Sequence, residues 1–289
     1  MIVSLSGALL AAVFFGVACV LQARGARATA VGEGIDPRLL MRLLRQWPFL
    51  IGVGLDGLGF VAELAALRSL ALFVVQAAVA AALAVTAVVA SWVLSTRLRG
   101  AEWVAVCGVC CGLALLGLTA SSESAAPVST AFHYGLLVAA IFLGVLGVVT
   151  TRLPAALRSA ALGGCAGLCF GLVAVAARTL TDLVPINLVR DPATYALVGA
   201  GILAFLFFGT ALQRGSVTAT TAAMIIGETV IPAGVGVTVL GDHTRPGFGL
   251  IAVAGFVLAL ASALALARFG ELSAPTTSDP DPCRKELKS

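Results

Sequence analysis

The sequence predicts an all-α fold: a polytopic transmembrane helical bundle of about nine spans. Three observations predict it. Of 289 residues, 60% are hydrophobic and only 11% charged, against roughly 25% charged in soluble domains. Apolar runs long enough to cross a bilayer recur nine times along the chain. The basic residues fall between those runs, and alternate gaps hold most of them. So few charges cannot cover a water-exposed surface, so membrane lipids are the expected surroundings. The net charge of +4 is arginine placed for topology, so no nucleic-acid partner is expected.

The spans read as residues 3–23, 48–67, 69–96, 101–119, 132–151, 159–177, 194–212, 216–240 and 247–267. The first imitates a signal peptide, with Ala28-Thr29-Ala30 as its apparent cleavage site. Its charges, Arg24 and Arg27, follow the apolar run instead of preceding it, so the span is expected to be retained. Residues 35–46 read either as an amphipathic helix lying on the inner leaflet or as a solvated linker. The third and eighth spans exceed the bilayer and must tilt or bend; Pro232 supplies a kink in the eighth. Residues 271–289 are polar and proline-rich, which suits a disordered tail.

Orientation follows from the basic residues. With the N-terminus outside, 14 of the 18 lie in inner segments, and Arg68, Arg178, Arg190 and Arg245 lie in outer ones. Trp47, Trp92 and Trp103 fall near inner span ends, where indole rings favour the interface. The C-terminus is then cytoplasmic, and the expected setting is the plasma (inner) membrane. Of the seven cysteines, all but Cys283 sit in apolar runs and read as small hydrophobes.

The chain also resembles itself. Ala66-Leu67-Arg68-Ser69 opens the third span and Ala211-Leu212-Gln213-Arg214 the eighth, at an offset of 145 positions. Phe15-Gly16 in the first span resembles Phe170-Gly171 in the sixth. Spans 1–4 (residues 1–123) thus form one repeat and spans 6–9 (157–268) a second. The extra fifth span (124–156) separates them, and a cytoplasmic tail (269–289) follows. Five crossings separate repeat partners, so the halves face opposite ways, as in many secondary transporters.

This layout resembles the drug/metabolite transporter (DMT) superfamily, EamA-like, and within it most the NIPA-type magnesium transporter family. The likeness rests on Phe15-Gly16, the arginine-rich first loop and Leu55-Asp56-Gly57-Leu58-Gly59-Phe60. It also rests on Leu94-Ser95-Thr96-Arg97-Leu98, Glu228-Thr229-Val230-Ile231-Pro232 and Leu240-Gly241-Asp242. It implies alternating-access transport, with magnesium as cargo in the narrower family. The chain departs from that family's Gly-Glu-x-x-Asn-Phe run by placing Asp56 at the Glu position and Gly59 at the Asn position. Ser95-Thr96-Arg97 replaces an acidic-basic ending.

Three acids lie within spans: Asp56, Glu63 and Glu228. A charge at helix centre costs roughly 2.5–3.5 kcal/mol on insertion scales, so such residues commonly mark ion or proton paths. Gly52, Asp56, Gly59 and Glu63 share one helical stripe, glycines for close approach and acids for chemistry. Asp56 and Glu228 are expected to meet at mid-bilayer as a substrate or cation site, whereas Glu63 is expected to pair with Arg68 or Arg178. Gln76 is a further lining candidate. Thr218, Thr220 and Thr221 read as bonding backbone carbonyls. Gly163, Gly167 and Gly171 form a small-xxx-small face for packing within the fold or in a homodimer. His133 and His243 read as interfacial. There is no P-loop, G-x-S-x-G or His-rich cluster, so neither enzyme activity nor a cofactor is expected. The leading expectation is a secondary transporter of small solutes, proton- or cation-coupled. The alternatives are a magnesium or divalent-cation transporter, a non-transporting scaffold, and a lipid-linked sugar translocation partner in envelope biogenesis.

Overall fold

The computed structural model describes residues 2–27, 46–93, 99–119, 128–180, 185–214 and 217–272. Hydrocarbon offers no partner for backbone N–H and C=O groups, so a spanning segment must satisfy them within itself. The described residues accordingly form helices, with no strand. They are α1 (Ile2–Arg27), α2 (Trp47–Leu67), α3 (Leu72–Ala80), α4 (Ala82–Val93), α5 (Gly100–Thr119), α6 (Thr130–Thr150), α7 (Ala155–Thr179), α8 (Pro185–Arg190), α9 (Pro192–Arg214), α10 (Val217–Thr238) and α11 (Gly249–Leu272). α3 and α4 together make the third span, and α8 is a short turn of helix before α9. Nine stretches among these residues are long and apolar enough to cross a membrane. The chain is a multi-pass membrane protein. The amphipathic reading of residues 35–46 falls almost wholly on residues outside those described, as does most of the tail; α11 itself runs on to Leu272.

Helix starts carry local signals. Arg99 caps α5, and its N–H donates to Glu102 Oε2 at 2.6 Å, which completes a capping-box contact and accounts for a buried acid. Asp191 precedes Pro192 and accepts from the Ala193 N–H at 2.9 Å, an N-cap with proline at the first helical position. Ser129 accepts from Phe132 N at 3.3 Å to cap α6.

α1 packs on α2 and on both halves of the third span, α7 packs on α9 and α10, and α5 pairs with α11. α6 lies against α7 and α9. α3 is the central post, with eight of its nine residues buried. The third span breaks at Ala81, whose N–H faces the carbonyls of Ala77, Ala78 and Val79. Neither Gly nor Pro stands there, so the break belongs to packing: immediately after it α1 comes closest, and a Cβ on Gly16 would sit 2.8 Å from the Ala82 carbonyl. α10 stays continuous through Pro232. The outside of the bundle is greasy, with Leu250 87% and Val104 73% exposed. Exposure of this kind all around a molecule requires lipid. Trp47 and Trp92 are among the most exposed side chains, and Cys107, Cys110 and Cys111 lie on the same lipid-facing exterior.

Candidate functional site

The site is built beneath a helical hairpin. α2 ends at Leu67 and α3 begins at Leu72, so residues 68–71 turn the chain back on itself. Glu63 lies four residues before the turn and Gln76 four residues after it. At a rise of about 1.5 Å per residue, both lie ~6 Å beneath the same turn. Glu63 is buried, and Gln76 is fully so.

Glu63 lies within electrostatic range of Glu228. Asp56, about two turns earlier on the same stripe, lies within electrostatic range of Cys19, whose thiol is beside Thr86. The reason is the path of α2. Near Asp56 it follows α1, where Gly59 rests on the Phe14 and Phe15 side chains and a Cβ would meet the Phe15 ring at 2.9 Å. α2 also contacts α7, the helix against which α10 packs.

The arginines proposed for Glu63 go elsewhere. Arg178, in the last turn of α7, binds Asp242 at 2.8 Å with both side chains inaccessible. It donates to the Leu67 carbonyl at 2.5 Å and also to the Leu70 carbonyl. Asp242 Oδ2 accepts the Leu72 N–H at 2.5 Å. Arg68 donates to the Leu180 carbonyl at 3.1 Å. Carbonyls left open at a helix end are strong acceptors for a guanidinium fork, so the hairpin turn draws the arginines away from Glu63. Among the described residues no basic side chain lies within ion-pair distance of Glu63 or Glu228. The Arg178–Asp242 pair was readable only in part: an arginine in the last turn of an apolar helix is an intramembrane charge, but its partner 64 residues away is not deducible from spacing.

Gln76 has neither its amide nitrogen nor its oxygen hydrogen-bonded. An unsatisfied buried amide costs on the order of 1–3 kcal/mol, which makes Gln76 a natural contact for a bound solute. Of the three threonines before Glu228, Thr220 donates to the Ser159 carbonyl at 3.3 Å, and the Thr218 side chain lies outside the described residues; beyond Glu228, Thr229 donates to the Ile225 carbonyl at 2.5 Å. His133 Nδ1 lies 2.8 Å from Asp191, joining α6 to the start of α9. Among the described residues no group of three His, Cys, Asp or Glu side chains is placed to hold a metal ion.

The chain matches no protein-family model, no curated protein and no solved structure. The glycines remain to be placed. Gly163 and Gly167 lie directly against α10, where a Cβ would overlap the Thr220 and Met224 carbonyls. Gly171 receives the Pro232 ring, with Cγ 2.6 Å from a Cβ position. This small-residue face is consumed within the chain rather than offered to a second copy. Gly52 is buried on α2.

Proposed function

We propose that this protein is a secondary transporter of a small solute, DMT-like in plan, that works by alternating access around Glu63 and Glu228. The observation that carries the reading is that buried Glu63 and half-buried Glu228, one from each half of the chain, lie within electrostatic range of each other with no basic side chain at ion-pair distance among the described residues. Like charges at such a place require a cation or a proton between them, and that requirement couples solute binding to positive charge. Gln76, fully buried with its amide unbonded one turn into α3, is the further polar candidate for solute contact. No catalytic role is proposed.

The repeat is supported by a shared contact. Gly16 on α1 meets the Ala82 carbonyl, and its repeat partner Gly171 on α7 meets the Gly227 carbonyl at 3.2 Å from a Cβ position. The sequence offset of 145 carries Ala82 onto Gly227. Close approaches at corresponding spans, at an offset of 155 between α1 and α7 and of 145 between the third and eighth spans, favour two halves of one design. With the orientation the arginines favour, the hairpin turn at 68–71 faces outside the plasma (inner) membrane and the C-terminus is cytoplasmic.

Purified protein in proteoliposomes tests the proposal. A thermal-shift screen across divalent cations, amines, amino acids and nucleosides first finds a stabilising solute. Uptake of that solute should then fall at least ~10-fold, about 1.4 kcal/mol, in Glu63→Gln and in Glu228→Gln, with both variants still folded. Unchanged uptake in both would remove the proposal. Magnesium enters the same screen as the narrower cargo. A lipid-linked solute is a second reading, favoured by an apolar cleft of about 360 Å³ lined by α6, α7 and α10, including Phe132, Leu172 and Pro232.

A further inference from the structure

We infer that Arg178 and Asp242 form a latch that closes the hairpin side of the carboxyl pair and must release for that side to open. The inference rests on the transporter reading but on a different set of contacts. Three elements converge on the latch. Arg178, in the last turn of α7, donates to the Leu67 and Leu70 carbonyls and pairs with Asp242 at 2.8 Å. Asp242, just beyond α10, accepts from Leu72 N at 2.5 Å and donates its own N–H to Gly236 O at 2.9 Å. Arg68 ties the same turn to Leu180, just past α7. The whole hairpin turn is thus clasped from both sides by the second half of the chain. Glu63 lies one helical turn beneath it.

Static anchoring alone would be better served by apolar packing. Taking two charges out of water costs several kcal/mol per ion, and well-packed hydrophobic residues of the same volume often do as well or better. Here Arg178 Nε also lacks a partner, so the closed arrangement is not fully satisfied. A charge pair whose bonds are specific to one geometry, on a turn between two helices, stabilises that geometry sharply and lets go completely when the turn moves. That is the behaviour of a two-state element.

Site-directed labelling tests the latch. The seven native cysteines are replaced by serine, and one reporter is introduced at a time: Leu70→Cys in the hairpin turn, or Thr221→Cys seven residues before Glu228 towards the opposite end of α10. Oriented vesicles then receive a membrane-impermeant maleimide on one face. The latch is opened in three ways: Arg178→Gln, Asp242→Asn, and Gly236→Ala, whose added Cβ would stand 2.6 Å from Asp242 Oδ2 and disturbs the pair while keeping both charges. The expected result is reciprocal. Labelling at position 70 rises roughly tenfold and labelling at position 221 falls, because opening one side of an alternating-access fold closes the other. Arg178→Lys, which keeps the charge but loses the fork, should fall between wild type and Arg178→Gln. Labelling that rises at both positions, or at neither, would overturn the latch. The carrier reading fails by another route, through uptake indifferent to Glu63→Gln and Glu228→Gln whichever way the labelling turns out.

Discussion

At the residue scale, the proposed pairing of Glu63 with Glu228 predicts effects that do not add. Glu63→Gln, Glu228→Gln and the double variant should lose uptake to similar extents, and a double-mutant cycle measures the coupling. Additive losses would mean two separate roles. Asp242→Asn should behave differently: it leaves Arg178 buried beside a neutral amide and should cost about 3–5 kcal/mol of stability, read as a lowered melting temperature in detergent. Sequence reasoning placed an acid at the heart of the second span but favoured Asp56, because a count along the helix puts it nearest the middle. Depth along one helix does not say which neighbour an acid faces. The close contact of α2 with α1 around Gly59 accompanies Asp56 lying within electrostatic range of Cys19, while Glu63 lies within range of Glu228.

At the element scale, the crossing of α7 with α10 is the tightest test of packing. Gly167→Ala would drive a methyl group into the Met224 carbonyl, while a Cβ at neighbouring Gly164 meets nothing within 4 Å. Overpacking costs about 1–3 kcal/mol, so Gly167→Ala should lower thermal stability clearly and Gly164→Ala should leave it nearly unchanged. Equal effects would show that α7 and α10 do not meet through this face. Pro232 removes one helical hydrogen bond, to residue 228, and fills the space above Gly171. Length and apolar composition defined the spans to within a few residues, since the bilayer demands them. The break at Ala81 lay beyond that reasoning, because no residue in an alanine-rich run announces it; the close approach of α1 is a tertiary event.

At the scale of the whole molecule, the nine spans found among the described residues would put the termini on opposite sides of a membrane. Epitope tags at the two ends should be reached by antibody from opposite faces of sealed vesicles; access from the same face would require an even number of spans. The proposed orientation adds that the C-terminal tag is the cytoplasmic one. The sequence by itself determined that the chain lives in a membrane, how often it crosses and where its small residues allow helices to touch. It could do so because each follows from local composition: hydrocarbon selects long apolar helices, and glycine marks close approach. Only the tertiary structure decided that Glu63 comes within electrostatic range of Glu228, that Arg178 turns to Asp242 and the hairpin carbonyls, and that Gln76 is buried in α3 with its amide unbonded. Those facts depend on helix rotation and tilt, set by contacts between segments 64 or more residues apart, and no local pattern carries that information.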